Sequence, residues 1–172
     1  VGLQSGSLFH HFRSKEEIFI ALLEDDFAAL FRALEPILAA LPANAADAAA
    51  FFARRYSRAV LDLPDLLPLA SLANGVLEQN LPIEPMRHFK TALAGGMTQT
   101  GKRIEQRFAQ LSRGHGATLL LQTYALTLGL WQALDYPPQL RELLRDPQLR
   151  ILDRRFSTEL ESAVRRLWQG AL

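Results

Sequence analysis

The sequence predicts an all-α protein. Apolar residues recur at helical spacing in almost every segment, and no stretch alternates apolar and polar residues for long enough to indicate a sheet. Breaks that contain proline, such as NLPIEP and DYPP, separate the periodic stretches. With 172 residues, 49% of them hydrophobic, the chain has the size of one compact domain or of a small domain fused to part of another.

The first two helices begin with clear capping signals. Ser14 followed by Glu17 forms a capping box, and apolar residues then recur at helical spacing to about Ala40. Asn44 can cap a second helix, which continues to about Leu63. These local signals predict a long first helix, a short loop and a second helix.

Four further helices are predicted in the remaining chain. Helical periodicity covers residues 65–79 and 84–111. Residues 118–134 are apolar nearly all round, which is typical of a helix that is covered on two sides. Asp146 as cap and Pro147 at the first helical position predict the start of the last helix.

Glycines interrupt the predicted helix over residues 84–111 at Gly95, Gly96 and Gly101. They weaken the helix because glycine has a low helix propensity. No strand precedes them and no Gly-Lys-Ser/Thr follows, so they do not form a phosphate-binding loop. We interpret them as sites of close helix packing.

The composition limits the function classes. The chain has no cysteine, which excludes disulfides and thiolate metal sites and fits a reducing cytoplasm. No apolar run reaches the ~18 to 20 residues of a membrane span, and the N-terminus lacks a signal pattern. The formal net charge is +1, so an anionic partner must meet a local patch. We expect a cytoplasmic protein that does not contact a membrane.

A short polar helix is predicted in the segment SGSLFHHFRSKEEIF near the N-terminus. On 100° steps Leu8 and Phe12 fall on one side of this helix, and His10 falls on the other. Such an element is typical of those that enter the DNA major groove. The next helix starts with Ser14 and Lys15, whose charge adds to the free N–H groups of the helix start, so a phosphate can dock there.

The first 24 residues, VGLQSGSLFHHFRSKEEIFIALLE, resemble the end of the helix-turn-helix and the start of the next helix in the tetracycline-repressor (TetR) family of bacterial transcriptional regulators. By this resemblance Lys15 contacts a DNA phosphate, and two helices of the DNA-binding domain precede Val1. The family usually has tyrosine where this chain has Phe9, so one hydroxyl contact to the DNA backbone is absent. The resemblance places on or beside the DNA-facing surface Gln4, Ser5, Ser7, Phe9 and His10.

The resemblance also implies two functional regions. We expect a partial DNA-binding domain over residues 1–34, and a helical ligand-binding and dimerisation domain over residues 35–172. An inducer cavity in the second domain would be lined by aromatic and polar groups on helices that face one interior, although ordinary core packing explains each of them singly. The predicted lining residues are Phe52, Tyr56, Asn74, Glu78, Met97, Thr123, Tyr124, Thr127 and Trp131.

A homodimer is expected through the last two long helices. One of them is almost wholly apolar and the other carries a single apolar stripe, so the two can pair across a two-fold axis as a four-helix bundle. The predicted interface residues are Leu120, Tyr124, Leu128, Phe156, Leu160, Val164 and Leu167.

No enzymatic activity, metal or other cofactor is expected. Neither His88 nor His115 shows a catalytic spacing to a serine or a carboxylate. His10 and His11 diverge by 100° on a helix, and no further ligand completes a metal site. The preferred interpretation is a DNA-binding repressor that a small molecule releases from its operator. The alternative is a helical small-molecule carrier or interaction module without DNA function.

Overall fold

The computed structural model describes residues 14–172, except for the side chain of Asn74. Within that range the chain is all-α and contains no β-strand, which confirms the predicted fold class. The helices are α1 (Lys15–Ala39), α2 (Ala45–Leu61), α3 (Leu66–Leu72), α4 (Ile83–Arg107), α5 (His115–Leu134), α6 (Pro138–Leu143) and α7 (Phe156–Ala171).

The predicted caps of α1 and α2 are present. The Ser14 hydroxyl accepts a hydrogen bond from the Glu17 backbone N–H at 3.2 Å. The Asn44 side chain likewise accepts one from the Asp47 backbone N–H at 3.1 Å. Each bond satisfies a backbone donor that the first helical turn leaves without a partner. Helix α1 continues without a break across the predicted domain boundary between residues 34 and 35.

The middle helices differ from the prediction at their ends. After α3 the chain forms a π-helical turn, Ala73–Leu77, and one more α-helical turn, Glu78–Asn80. Helix α5 starts three residues earlier than predicted because a distant carboxylate caps it. Glu105 Oε1 accepts hydrogen bonds from the backbone N–H groups of Gly114 at 2.9 Å and Gly116 at 3.0 Å.

The predicted start of the last helix is wrong. Asp146 does cap a helical turn, but that turn is the short 3-10 helix Pro147–Leu149, and α7 begins at Phe156. A cap determines where a helix begins, whereas its length depends on an apolar face that packs. Ile151 follows this turn and is exposed, so it does not contribute to an apolar face that packs on the core. The sequence prediction also missed α6. This helix begins at Pro138, and the first position of a helix tolerates proline.

One hydrophobic core joins the long helices. Helix α7 packs on α2 and α5, α5 also packs on α4, and α1 lies against α4, α2 and α3. Each of these helices turns its apolar stripe towards the same interior. The largest fully buried side chains include Leu23, Phe52, Ile104, Leu160 and Trp168.

The glycines of α4 have different surroundings. A Cβ atom on Gly101 would lie 2.3 Å from a backbone nitrogen of α5, and one on Gly116 would lie 2.1 Å from the Gly101 carbonyl oxygen. A Cβ atom on Gly96 would lie 2.3 Å from the ring of Phe31 on α1. Nothing lies within 4 Å of a Cβ atom on Gly95. Close helix packing therefore explains Gly96 and Gly101 but not Gly95.

Between residues 14 and 172, no single helix has both the length and the apolar character that crossing a membrane requires. Helix α2 and the helical residues 66–80 meet those two criteria only as a pair, which bends by 81°.

Candidate functional site

Four of the predicted ligand-binding residues form a buried network in the core. The Tyr56 hydroxyl and Thr127 Oγ1 are hydrogen-bonded at 2.9 Å, and Trp168 Nε1 donates to Thr123 Oγ1 at 3.0 Å. The ring of Phe52 stacks on the indole of Trp168, with 3.5 Å between the ring centroids. These side chains satisfy one another and leave no free polar group for a ligand. In the described structure they are core residues, and their contact with a ligand stays a prediction.

The burial of this network affects its ionisable member. Removal from water raises the pKa of Tyr56 to about 12, although the hydrogen bond with Thr127 acts in the opposite direction. The phenol therefore stays neutral at physiological pH, as a buried hydroxyl in a satisfied network does.

The other predicted cavity residues lie on several helices, and their role in ligand binding stays a prediction. Glu78 is exposed and its carboxylate lies 2.6 Å from Lys90 Nζ. Tyr124 is half-buried, and burial raises the pKa of its phenol, with the Glu78 carboxylate adding to the shift. Met97 and Trp131 are also half-buried, on different helices. The predicted Asn74 contact concerns a side chain outside the described part of the structure.

A cleft of about 320 Å³ lies between α1 and α4. Its floor consists of three aromatic rings, with 6.4 Å between the ring centroids of Phe27 and Phe31 and 6.0 Å between those of Phe27 and Phe89. The volume is at the lower end of the ~300 to 1,000 Å³ of small-molecule sites. The cleft therefore has the size and the apolar floor of a site for a small organic ligand.

Side-chain contacts between α1 and α4 lie at the two ends of the cleft. Glu24 Oε1 on α1 lies 3.2 Å from His88 Nε2 on α4, and the Glu35 carboxylate on α1 forms an ion pair with the Arg103 guanidinium on α4 at 3.0 Å. Because both contacts follow the same order along the two helices, α1 and α4 run in the same direction. The two contacts connect the helices at each end, and the cleft remains open between them.

Further polar groups line the cleft near the Glu35–Arg103 pair. They are the guanidinium of Arg32, the amide of Gln99 and the hydroxyl of Thr100. No hydrogen bond or ion pair joins the side chains of Arg32 and Thr100 to any other residue between Ser14 and Leu172. This end of the cleft therefore holds hydrogen-bond donors without protein acceptors.

A comparison with known families decides the identity of the fold. The family model described as tetracyclin repressor-like, C-terminal domain, matches residues 23–172, which include every residue that lines the cleft. This chain belongs to that family. The resemblance rests on residues 1–24, whereas the family model matches residues 23–172. An almost separate part of the sequence therefore confirms it. No curated protein matches the chain.

The interface residues predicted for this TetR-like domain are largely internal. Leu160 and Val164 are completely buried, and Leu120 and Leu128 are nearly so. The apolar stripe of α7 faces α2 and α5 of the same chain, and Leu120 and Leu128 lie on α5 in the same core. In the single chain these four side chains are core residues, and their contact with a second copy stays a prediction. The remaining three are half-buried and pack against the same core, namely Tyr124, Phe156 and Leu167.

Of the residues predicted to contact DNA, one lies in the part of the chain that the structure describes. Lys15 is the first residue of α1, and its side chain is 77% exposed, with Nζ 3.9 Å from Glu16 Oε1. A cation at this position remains accessible to a phosphate. The other predicted contacts lie outside the described residues, namely Gln4, Ser5, Ser7, Phe9 and His10.

The sequence prediction missed the cleft because its residues looked like ordinary helix faces. Phe27 and Phe31 belong to the regular apolar stripe of α1. Only the register between α1 and α4 shows that the Phe31 ring lies against the backbone at Gly96. One signal was available in the sequence, since Glu24, Arg32 and Glu35 border that apolar stripe.

Proposed function

We propose that this chain belongs to a DNA-binding transcriptional repressor, a homodimer that a small molecule in the α1–α4 cleft releases from operator DNA. The observation that carries the proposal is that the cleft is built on α1, the helix that begins at Lys15, directly after the part of the sequence that resembles a helix-turn-helix. Membership of the tetracyclin repressor-like family supports a regulatory role rather than a catalytic one.

Helix α1 gives the ligand a mechanical connection to the DNA. Phe31 in the cleft lies 16 residues from Lys15, or about 24 Å along a helix that rises 1.5 Å per residue. A ligand that changes how α1 packs on α4 therefore tilts the other end of a continuous rod. In a dimer such a tilt changes the spacing of two recognition helices, which must match successive turns of the DNA.

Direct selection of DNA tests this function against the alternative of a carrier. We expect the full-length protein to select from a random pool a two-fold symmetric site. Its half-sites should lie about one helical turn, roughly 34 to 36 Å, or a multiple of it apart. Selection of no sequence above the background would favour the carrier or interaction module.

Lys15→Ala is expected to weaken binding to all DNA sequences alike and to lower the salt slope by about 1, because a phosphate contact carries no base information. The matched control is Lys102→Ala, which removes the same charge from an exposed position on α4. Titrations at several salt concentrations measure both quantities. An unchanged slope for Lys15→Ala would show that this cation does not contact a phosphate.

The homodimer is proposed to use the exposed face of α5. This helix contains no Asp, Glu, Lys or Arg, and Leu121, Ala125 and Gly129 follow each other at four-residue spacing on its exposed side. The small side chains of Ala125 and Gly129 let a second helix approach closely, and Leu121 offers it an apolar contact. An uncharged exposed face is also what an interface between copies requires.

Leu121→Glu is expected to convert the dimer to a monomer, because the carboxylate would lose its water in the interface. Leu121 is 54% exposed in the single chain, so the substitution leaves the core intact. Leu61→Glu is the control, since Leu61 is 47% exposed at the end of α2. Light scattering of both variants measures the assembly. A Leu121→Glu dimer as stable as the wild type would exclude this face.

A further inference from the structure

We propose that the α1–α4 cleft takes an amphipathic monoanion, with an apolar, preferably aromatic, body and one carboxylate. The inference rests on the proposed function in one respect, namely that this cleft is the ligand site. It adds the chemical class of the ligand and the orientation in which it binds. The carboxylate lies at the Arg32 end, and the apolar body lies over the phenylalanine floor.

The charges of the lining distinguish the two ends of the cleft. At one end the guanidinium groups of Arg32 and Arg103 face a single protein carboxylate, Glu35, which Arg103 already binds at 3.0 Å. At the other end the Glu24 carboxylate lies 3.2 Å from His88 Nε2. The Arg32 end therefore has one uncompensated positive charge, which matches one carboxylate rather than two.

The hydroxyl of Thr100 provides a second, independent indication of a ligand. The residue is only 7% exposed, and its side chain forms no hydrogen bond within residues 14–172. The hydroxyls of Thr98 and Thr123 instead donate to the backbone carbonyl four residues earlier in their helices. The Thr100 hydroxyl lines the cleft and has no protein acceptor there, so it is available to donate a hydrogen bond to an acceptor on a ligand.

The spacing of these groups determines the orientation of the ligand. Arg32 is eight residues from Glu24, which is about 12 Å along α1. The rings of Phe27 and Phe31 lie between these two positions and offer an apolar surface. A carboxylate at Arg32 therefore directs the body towards Glu24, which would repel a second anionic group.

Calorimetric titration of the full chain with two matched probes tests the inference. The probes are 2-naphthoate and 2-naphthamide, which share an aromatic body and differ in the charge of the head group. We expect 2-naphthoate to bind at least about tenfold more tightly, because a hydrogen bond to a charged group is stronger than one to a neutral group. We expect Arg32→Gln to abolish this difference in affinity. We expect Thr100→Val to weaken the binding of 2-naphthoate about fivefold.

Two control variants give the remaining outcomes a definite meaning. Arg87→Gln removes a cation that pairs with Glu84 on the outer surface of α4, and it should leave both affinities unchanged. Ala92→Trp fills the cleft from an exposed lining position and should abolish binding of both probes.

Equal affinities for the two probes, both lost in Ala92→Trp, would overturn the anionic class and leave the ligand site of the proposed function intact. Absence of binding by either probe, or binding that survives Ala92→Trp, would overturn the inference as a whole. The DNA selection experiment does not involve these probes, so failure of the DNA function is recognised separately.

Discussion

Gly101→Ala is expected to lower the free energy of unfolding by roughly 3 kcal/mol, the upper end of the usual range for overpacking. The added methyl group would lie 2.3 Å from a backbone nitrogen of α5. Backbone atoms cannot rotate away as a side chain can, so α4 and α5 must separate along their contact. The loss of packing then extends beyond the substituted residue.

The same substitution six residues earlier in α4 should have the opposite effect. Gly95 has open space where its Cβ atom would be, so Gly95→Ala gains helix propensity without a clash. We expect it to raise the free energy of unfolding by up to about 1 kcal/mol. Urea denaturation of both variants measures whether the free energy of unfolding falls in Gly101→Ala and rises in Gly95→Ala. A Gly101→Ala protein as stable as the wild type would contradict the close approach of α4 and α5.

Trp168→Ala is expected to cost about 3 to 5 kcal/mol, as truncation of a buried aromatic residue does. The indole is completely buried, stacks on Phe52 and donates a hydrogen bond to Thr123. Its removal leaves a cavity between α2, α5 and α7. The docking of α7 on α2 and α5 depends strongly on this side chain, which contacts both helices.

Trp131→Ala serves as the control because it removes the same side chain from a half-buried position. Denaturation should show a clearly smaller loss for Trp131→Ala than for Trp168→Ala. Equal losses would mean that the stacked arrangement of Trp168 and Phe52 adds no stability beyond that of a partly exposed indole.

Local chemistry explains what the sequence could predict of the fold. Ser14 and Asn44 act on backbone groups three residues away, so their capping roles follow from the chain itself. Glu105 caps α5 from a different helix, and no local pattern around Gly114 could reveal it. The error at Pro147 has the same origin, since the extent of a helix depends on what its apolar face meets.

The candidate site was harder to predict because cavities and cores use the same residue types. Tyr56, Thr123 and Thr127 looked like polar anchors of a pocket, yet they bind one another and Trp168 in the core. Phe27 belongs to the core and Phe31 packs against it, and both rings also line the cleft. The difference depends on the register of the helices, which a single sequence does not specify.

The predicted interface residues are difficult to assign for a related physical reason. The stripe of α7 that contains Leu160 and Val164 was expected to face a second copy, but α2 and α5 of the same chain cover it. An apolar stripe shows that one side of a helix is covered. It does not show whether the same chain or a second copy covers it. The uncharged outer face of α5 around Ala125 is the feature that favours contact between copies.

Release of DNA by a ligand in the α1–α4 cleft can be measured as a coupling between two affinities. The measurement is the affinity of the full-length protein for its selected DNA, with and without a saturating amount of whichever naphthalene probe binds more tightly. We expect the probe to weaken DNA binding by about fivefold or more, and DNA to weaken binding of the probe by the same factor. In Ala92→Trp, whose cleft is filled, the probe should have no effect on DNA binding. Unchanged DNA affinity in the wild type with the cleft occupied would show that the cleft does not control DNA binding.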